Sequence, residues 1–342
     1  MSTVRLGRTG ISTEKNGFGA LPVQRVGIDQ AVALLRRAYD GGFRFFDTAR
    51  YYTDSEKKLG IAFAGMRDKV IIASKTMALD AETFKKDLAT SLEELQTDYI
   101  DIYQFHNPPF MPEPGDGSGL YEEMLKAKSE GRIRHISITS HRYHIAEKAV
   151  QSGLYDTLQY PFSYICGELE HKLVELCRRH DVGFIAMKAL AGGLIHDAEA
   201  ACAYINQFDN VLPIWGIQRE NELDEFLDFI KTAPEMDQQI RSVIDRDRSQ
   251  LAGEFCRACG YCQPCPAKID IAQCARMSLM LRRAPAENFL TPHWKSEMDK
   301  INNCINCGKC RSKCPYGLDT PNLLRRNLED YEAVYEGKVS VK

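Results

Sequence analysis

The sequence predicts an α/β protein in which a TIM (β/α)8 barrel is followed by a small, mainly helical domain. Before residue 245, eight short apolar segments with strand character alternate with amphipathic helical patterns. Eight strand–helix units over about 245 residues match the usual size of such a barrel. Nine of the twelve cysteines lie between Cys256 and Cys314, where the chemistry of the chain changes. We therefore predict two domains, residues 1–245 and residues 246–342.

The strand candidates follow one another at the spacing that a strand, a helix and two turns require. In chain order they are NGFGAL, RFFDTA, VIIASK, IDIYQFH, HISITS, TLQYPF, GFIAMKAL and VLPIWGI. Helical patterns between them include DQAVALLRRAYDGG, AETFKKDLATSLEELQ and ELEHKLVELCRRHD, the first ending in Gly-Gly as a helix C-terminus should. The charged stretch over 244–250 is predicted to be a linker or a connecting helix. A doubly wound sheet is the alternative architecture.

Composition and charge limit the classes of function. The 342 residues are 44% hydrophobic and 27% charged, which is typical of a globular protein. The net charge is −3 and the two signs are interleaved, so no basic face indicates nucleic acid or an acidic membrane surface. The N-terminal segment has no apolar core and no apolar run approaches a membrane span, so we expect a cytoplasmic protein. In that reducing compartment, clustered cysteines favour metal over disulfides.

Reactive side chains stand at the ends of successive strand candidates. Asp47 closes the second, Lys75 the third and His106 the fourth, and Tyr52 follows in the loop after the second. Because the active site of a TIM barrel lies at the C-terminal strand ends, we expect these four to converge. The ammonium of Lys75, held charged by Asp47, should lower the pKa of Tyr52, while His106 orients a carbonyl oxygen. Singly, each side chain is better explained as an ordinary ion pair or buried polar group, but four of them together at strand ends favour an active site.

These segments carry a family resemblance. FDTARYYTDSEKKLG, IIASK and DIYQFHNP resemble the catalytic segments of the aldo-keto reductases, and the similarity runs from VRLGRTGIS, the family's N-terminal hairpin, through WGIQRENELDE. It implies a barrel that binds NADPH, or NADH, and transfers a hydride between the nicotinamide and an aldehyde, ketone or alcohol. Tyr52 would then be the proton donor, with the other three residues in the roles given above.

The same resemblance implies contacts to the nicotinamide. Ser140 and His141 match the pair, usually Ser-Asn, that binds the carboxamide, and Gln159 matches the usual glutamine. Met187 stands where many members have a tyrosine that stacks on the ring, and Lys188 could meet the pyrophosphate. A thioether holds a ring less rigidly than an aromatic side chain does, and Met187 is equally well explained as a core residue.

Contacts to the adenosine phosphate are implied in GIQRENE, after the last strand candidate. Gln218 and Arg219 would lie near the 2′-phosphate, which Arg219 can bind through two hydrogen bonds, and Asn221 near the adenine. Gln218 stands where a lysine often reinforces that site, so NADPH is favoured over NADH only weakly. The remaining implied contact is Gly19, in the first strand candidate.

Two runs of four cysteines, each ending in Cys-Pro, resemble ferredoxin motifs. In two-cluster ferredoxins the cysteine before the proline ligates the other cluster. We assign two 4Fe-4S clusters to crossed ligand sets, Cys256, Cys259, Cys262 and Cys314 for the first and Cys304, Cys307, Cys310 and Cys265 for the second. The first run has two residues rather than three before its last cysteine, so uncrossed ligation stays open, as does structural zinc. Cys274 is predicted to be a core residue.

Together these features predict an NAD(P)H-dependent carbonyl reductase or alcohol dehydrogenase. Its cluster domain would be structural, regulatory or an electron port for an external electron-transfer protein, and its other partner would be a small carbonyl or alcohol. The alternative is an electron-transfer or redox-sensing protein built on a barrel without reductase activity. A third hypothesis is reduction at the barrel mouth driven by the clusters themselves.

Overall fold

The computed structural model describes residues 3–251, 255–257, 262–283, 286–314 and 317–341. The chain divides into two compact units, one extending through Ala191 together with Asp197–Val243, and the other made of Gly192–His196 and the chain from Ile244 onward. That division falls inside one helix, Gln238–Leu251, which covers the charged stretch predicted as a linker or connecting helix. The domain limits of 1–245 and 246–342 stay a prediction.

The first unit contains a closed barrel of parallel strands. A hairpin of β1 (Thr3–Arg5) and β2 (Ser12–Glu14) precedes it. The barrel strands are β3 (Gly17–Gly19), β4 (Phe45–Asp47), β5 (Ile71–Thr76), β6 (Ile100–His106), β7 (Ile133–Thr139), β8 (Thr157–Pro161), β9 (Gly183–Met187) and β10 (Val211–Gly216). They follow one another around the barrel, and β10 pairs with β3 to close it. The predicted TIM barrel is confirmed, and the doubly wound sheet was the wrong alternative.

The segments between the barrel strands form helices because the apolar residues of these segments recur three and four positions apart. In the first of them the buried positions are Ala31, Leu34, Leu35 and Ala38. The helices associated with the barrel are α1 (Ile28–Asp40), α2 (Ser55–Ala62), α3 (Ala81–Glu94), α4 (Leu120–Ser129), α5 (Tyr143–Ser152), α6 (Glu168–Arg179), α7 (Ala198–Asn206) and α8 (Glu220–Lys231). Short 3₁₀ turns lie at Pro22–Arg25 and Arg67–Lys69. The helix α9 (Gln238–Leu251) comes after them.

The hairpin fills the N-terminal end of the barrel. Val4 and Leu6 belong to the same buried cluster as Phe45, Ile102 and other strand residues that point inward. The turn approaches the loop before β9 so closely that a Cβ on Gly7 would lie 2.4 Å from the carbonyl oxygen of Asp181. Gly7 also has φ +49°, a conformation that glycine adopts without strain. The polar strand ends therefore lie at the opposite, open end.

The second unit is mainly helical. Its helices are α10 (Ile271–Cys274), α11 (Met277–Arg283), α12 (Pro292–Asp299), α13 (Lys309–Ser312) and α14 (Thr320–Tyr335), with 3₁₀ turns at Ala286–Asn288 and Lys300–Asn303. They pack around a buried core that contains Cys274, Leu281, Met298 and Tyr331. Cys274 is fully buried, as predicted for a core residue. Across the described residues of both units, no helix has the length and apolar character needed to cross a membrane.

Candidate active site

Four side chains meet at the C-terminal end of the barrel. The Nζ of Lys75, on β5, donates to Asp47 Oδ2 at 2.7 Å and to the carbonyl oxygen of Thr48 at 2.6 Å. The same Nζ lies 5.1 Å from the centre of the Tyr52 ring. The rings of Tyr52 and His106 meet edge to face, with centroids 5.7 Å apart. The four predicted catalytic residues, Asp47, Tyr52, Lys75 and His106, therefore share one site.

Burial controls the electrostatics of this site. It raises the pKa of Asp47, and the adjacent ammonium of Lys75 offsets part of that rise. It also raises the pKa of Tyr52 above its usual value. Lys75 lowers the pKa of Tyr52, as expected, but the effect of burial is larger. The net decrease in this pKa that the sequence predicted is therefore wrong. Burial, with a smaller contribution from Lys75, lowers the pKa of His106 to about 3, so its imidazole is neutral.

The loop that carries Tyr52 is held at both ends. Thr48 Oγ1, before the tyrosine, lies 2.9 Å from Ser55 Oγ, after it, and Ser55 Oγ donates to the carbonyl oxygen of Ala20 at 3.0 Å. The buried carboxylate of Glu56 likewise pairs across the loop with Arg50 and accepts a hydrogen bond from Ser74 on β5. The hydroxyl of Tyr52 is thus presented by a loop fixed to two neighbouring strands.

The predicted carboxamide contacts lie at the ends of β7 and β8. Gln159 is buried in β8, and its Oε1 accepts no hydrogen bond from the described residues. Ser140 follows β7, where its Oγ accepts from the backbone N–H of Arg142 at 2.9 Å and donates to the carbonyl oxygen of the same residue at 3.1 Å. His141 donates its backbone N–H to Asn107 Oδ1 at 3.1 Å. Ser140 therefore retains acceptor capacity, while its proton is already used within the turn.

The remaining predicted cofactor contacts lie around the same rim. Gly19 ends β3, where it pairs with Asp47 and Gly216. Met187 ends β9 half-buried, and the exposed Lys188 follows with φ +56°. The other three predicted contacts lie at the N-terminus of α8 and are Gln218, Arg219 and Asn221.

Arg219 is paired in a way that the sequence did not reveal. Its Nε donates to Glu222 Oε1 at 2.8 Å, and its Nη2 lies 2.7 Å from the same oxygen. Glu222 Oε2 accepts the backbone N–H groups of Gln218 and Arg219 at 2.9 and 3.1 Å. One carboxylate thus caps α8 and engages the guanidinium predicted to bind phosphate.

Cysteines from both runs line one cavity in the second unit. The cysteines at this cavity are Cys262, Cys265, Cys304, Cys307 and Cys310. Cys265 comes from the first run and the last three from the second, which is the arrangement of the predicted crossed set. In the described part of the chain, no three His, Cys, Asp or Glu side chains converge on a single-ion site. Cys256 is buried and Cys314 half-buried, while Cys259 lies outside the described residues.

Comparison with known proteins identifies the family. Residues 15–213 match the model of the Aldo/keto reductase family. The chain belongs to the aldo/keto reductase family. Residues 255–319 of this aldo/keto reductase match a second model, the 4Fe-4S dicluster domain. The resemblance stated from the sequence is confirmed for both parts.

Individual relatives agree with that assignment. L-galactose dehydrogenase of Arabidopsis thaliana is 34% identical over 209 residues, which cover 56% of this chain and 66% of the relative. NADH-specific methylglyoxal reductase of Escherichia coli is 26% identical over 256 residues, covering 65% and 77%. The crystal structure of an aldo-keto reductase from Klebsiella pneumoniae in complex with NADPH has a TM-score of 0.62 at 22% identity, covering 72% of this chain and 94% of that one. The chain spans just under two thirds of the length of several curated relatives, 66% for the plant enzyme and 64% for prostaglandin F synthase 1 of Bos taurus.

The aldo/keto reductase barrel also contains a polar network that sequence reasoning missed. Gln104 Nε2 donates to Asp47 Oδ1 at 3.4 Å, and Gln104 Oε1 accepts from Ser137 Oγ at 3.1 Å. Thr157 Oγ1 continues the chain to Ser137 Oγ at 2.6 Å. All these side chains are buried, so they fix the carboxylate of Asp47 from the side opposite the ammonium. Polar residues within otherwise apolar strands were the available signal.

A second residue missed by the sequence is Arg276, between α10 and α11. Its Nε is buried without a hydrogen bond to any described residue, and its Nη2 lies 3.5 Å from Met280 Sδ. Burial lowers the pKa of Arg276, and the one group that opposes this effect is Cys256. A cation so placed is costly unless a negative group accompanies it, and Cys256 is the nearest candidate.

Proposed function

We propose that this aldo/keto reductase is an NAD(P)H-dependent oxidoreductase that reduces a carbonyl, or oxidises the corresponding alcohol, at the open end of its barrel. The observation that supports it most directly is the buried Lys75–Asp47 ion pair beside Tyr52 and a neutral His106. An acid, the cation that stabilises its conjugate base, and a neutral hydrogen-bond donor are what proton transfer to a carbonyl oxygen requires.

We assign the proton transfer to Tyr52. Its raised pKa keeps the phenol protonated at neutral pH, so the hydroxyl can donate to the carbonyl oxygen. Lys75 stabilises the phenolate that remains, and Asp47 keeps that ammonium in place. A neutral His106 donates a hydrogen bond that orients the carbonyl without competing as an acid. In alcohol oxidation the same groups act in reverse.

The nicotinamide contacts are proposed from the polar atoms at the strand ends. The buried Oε1 of Gln159 needs a donor, and a carboxamide N–H is a donor of the right kind. Ser140 and His141 would hold the same group, Met187 and Lys188 would flank the ring and pyrophosphate, and Gly19 would allow close approach. A bound reduced nicotinamide would supply the hydride. Gln218, Arg219 and Asn221 at the start of α8 would hold the adenosine phosphate, which favours NADPH.

We propose that the second domain, residues 246–342, holds two 4Fe-4S clusters. A cavity lined by Cys265 together with Cys304, Cys307 and Cys310 suits a four-thiolate cluster. Cys262 also lines it, so the two runs meet there and the first cluster would lie close by. The first cluster would take Cys256, Cys259, Cys262 and Cys314. Cys310 has its pKa raised by burial, with the nearby thiols of Cys304 and Cys265 contributing, which is the crowding of thiolates that bound iron relieves.

The proposed reductase is tested with anaerobically purified, iron-loaded protein and a panel of aldehydes and ketones. Methylglyoxal belongs in the reduction panel, and L-galactose with NADP⁺ or NAD⁺ in the reverse assay, because the relatives named above are a methylglyoxal reductase and an L-galactose dehydrogenase. We expect carbonyl-dependent oxidation of NADPH that falls about 10²–10⁴-fold in Tyr52→Phe. The neighbouring Tyr51→Phe, altered at a side chain that is 53% exposed, is the matched control and should turn over normally. Normal turnover by Tyr52→Phe would contradict the assignment, and a protein that never binds nicotinamide would favour the electron-transfer alternative.

A further inference from the structure

One segment of the second unit departs from the overall charge of the chain. The protein as a whole has 44 basic and 47 acidic residues, whereas residues 300–314 contain four lysines and arginines and no acidic residue. Lys300 is paired with Glu297 at 2.6 Å. The other three, Lys309, Arg311 and Lys313, are exposed. A local positive surface therefore exists on a protein whose net charge is negative.

This surface adjoins the cysteine cavity, which Ile305 and Lys309 help to line. Lys309 itself lines the cavity, between Cys307 and Cys310. Cys307 is exposed, and beside it Ile305 is 68% exposed, the highest exposure of any large apolar side chain in the described residues. Arg311 lies 3.7 Å from Asp319, which offsets part of its charge, so Lys309 and Lys313 carry most of the net positive charge. We call Ile305, Lys309, Arg311 and Lys313 the basic rim.

Such a surface has the properties of a transient electron-transfer interface. Interfaces of this class are small, and charge complementarity supplies their association rate rather than extensive apolar burial. An exposed ligand cysteine brings a cluster within short range of whatever docks there. The single apolar side chain in a basic surround suits a brief contact, and the sign of the charge selects an acidic partner.

We propose that the basic rim docks an acidic one-electron carrier protein of the ferredoxin type, which exchanges an electron with the cluster in this cavity. The inference rests on the proposed cluster and names its partner. In the exchange the reduced carrier loses one electron and the oxidised cluster gains one, and no bond forms or breaks. The cavity and the basic rim both belong to the second unit.

The test measures binding of an oxidised, acidic 2Fe-2S ferredoxin to the iron-loaded protein by calorimetry at low and high ionic strength. We expect the affinity to fall at least tenfold between about 20 and 200 mM salt, because exposed charges are screened over a Debye length. Lys309→Glu/Lys313→Glu should weaken binding at least tenfold at low salt. The matched control, Lys86→Glu/Lys126→Glu, makes the same change in net charge at exposed positions of the barrel unit and should bind as the parent does.

Electron transfer gives a second measurement. Stopped-flow mixing with the reduced ferredoxin should show slower cluster bleaching in the rim variant, whereas the methyl viologen radical cation should reduce the same cluster at least as fast as in the parent. If the charge reversals lower the iron content, Lys309→Gln/Lys313→Gln replaces them. Equal affinities of rim and control variants, or binding that does not respond to salt, would overturn the proposal. Iron content and NADPH-linked turnover, measured on the same samples, separate that result from failure of the cluster or reductase assignments.

Discussion

Lys75 and Asp47 form an ion pair inside the barrel, with 2.7 Å between Nζ and Oδ2 and both side chains almost inaccessible to solvent. Because Gln104 holds the other carboxylate oxygen and Thr48 accepts a second hydrogen bond from the ammonium, the positive charge has a fixed position. Its field therefore acts on Tyr52 from one direction.

Replacing that charge should change the pH dependence of catalysis. Burial keeps the pKa of Tyr52 above its ordinary value of about 10, and Lys75 limits the rise. In Lys75→Met the pKa should rise further, so carbonyl reduction should fall about 10²–10⁴-fold because the phenolate left behind loses its cation. Alcohol oxidation needs the deprotonated phenol, so its increase with pH should move to higher pH. Rate profiles in both directions test this.

A second buried lysine provides the control for that variant. Lys15 donates to the backbone oxygens of Asn206 and Phe208, and burial lowers its pKa to about 8. Lys15→Met should reduce thermal stability without moving either pH profile. His106, with a pKa of about 3, should add no inflection near neutrality in the parent or in Lys15→Met. An unshifted oxidation profile in Lys75→Met would show that the ammonium does not influence Tyr52.

Arg219, which is paired with Glu222, is the residue with which the preference for NADPH over NADH can be tested. If the guanidinium binds the 2′-phosphate, Arg219→Ala should raise the KM for NADPH about 10- to 100-fold, the size of one or two hydrogen bonds to a charged group. The KM for NADH and both kcat values should stay the same. Arg178→Ala removes a guanidinium paired with Glu175 in the same i,i+3 geometry on another helix and should leave both KM values unchanged. A parallel rise in both KM values would place Arg219 outside the phosphate site.

The crossed cysteine ligation can be tested by combining variants. Cys304→Ser/Cys307→Ser should remove one cluster and about half of the iron. If Cys265 serves that same cluster, adding Cys265→Ser should cause no further loss of iron, whereas uncrossed ligation would remove the rest. Cys274→Ser, altered in the core and away from the cavity lining, should keep its full iron content as long as it folds. Iron and sulfide analysis, with the visible spectrum, distinguishes the two outcomes.

The buried cation of Arg276 should raise the reduction potential of the cluster that we propose Cys256 ligates. A nearby positive charge stabilises the reduced, more negative cluster, so Arg276→Gln should lower its reduction potential. A net interaction of about 1.4 kcal/mol corresponds to about 60 mV for one electron. Arg282→Gln is the control, because that exposed guanidinium is paired with Asp330. Redox titrations followed by electron paramagnetic resonance should show one shifted cluster, and identical potentials in all three proteins would contradict the effect.

The sequence predicted the barrel well because strand and helix periodicities differ most clearly in long segments. IDIYQFH corresponds to β6 residue for residue, and five other strand candidates contain their barrel strands. VIIASK stops one residue before the end of β5 at Thr76, and HISITS starts after β7 begins, at Ile133. The segment CARMSLMLRRAP, residues 274–285, has the pattern of one amphipathic helix, but α10 ends at its first residue, Cys274, and α11 begins only at Met277. Residues 284 and 285 of this segment lie outside the described residues. A break of two residues does not alter an apolar stripe enough to be visible in the sequence.

Predictions about the site depended on whether neighbours in space were also visible in the chain. Strand ends brought Asp47, Lys75 and His106 together because a parallel barrel places all such ends at one rim. The predicted decrease in the pKa of Tyr52 was wrong, because the cost of burying the phenolate depends on packing that no short motif encodes. Gln104 and Ser137 were missed for a related reason, since a polar residue facing the interior of a barrel looks like one facing solvent.

The hairpin that fills the N-terminal end of the barrel determines where reactants can enter and products can leave. With Val4 and Leu6 packed against Phe45 and its neighbours, the barrel is closed at one end over residues that are all described. Both reactants must therefore arrive and depart through the rim where Tyr52 and α8 lie. Substrates and products share this one entrance, so release of the first product can limit the turnover rate.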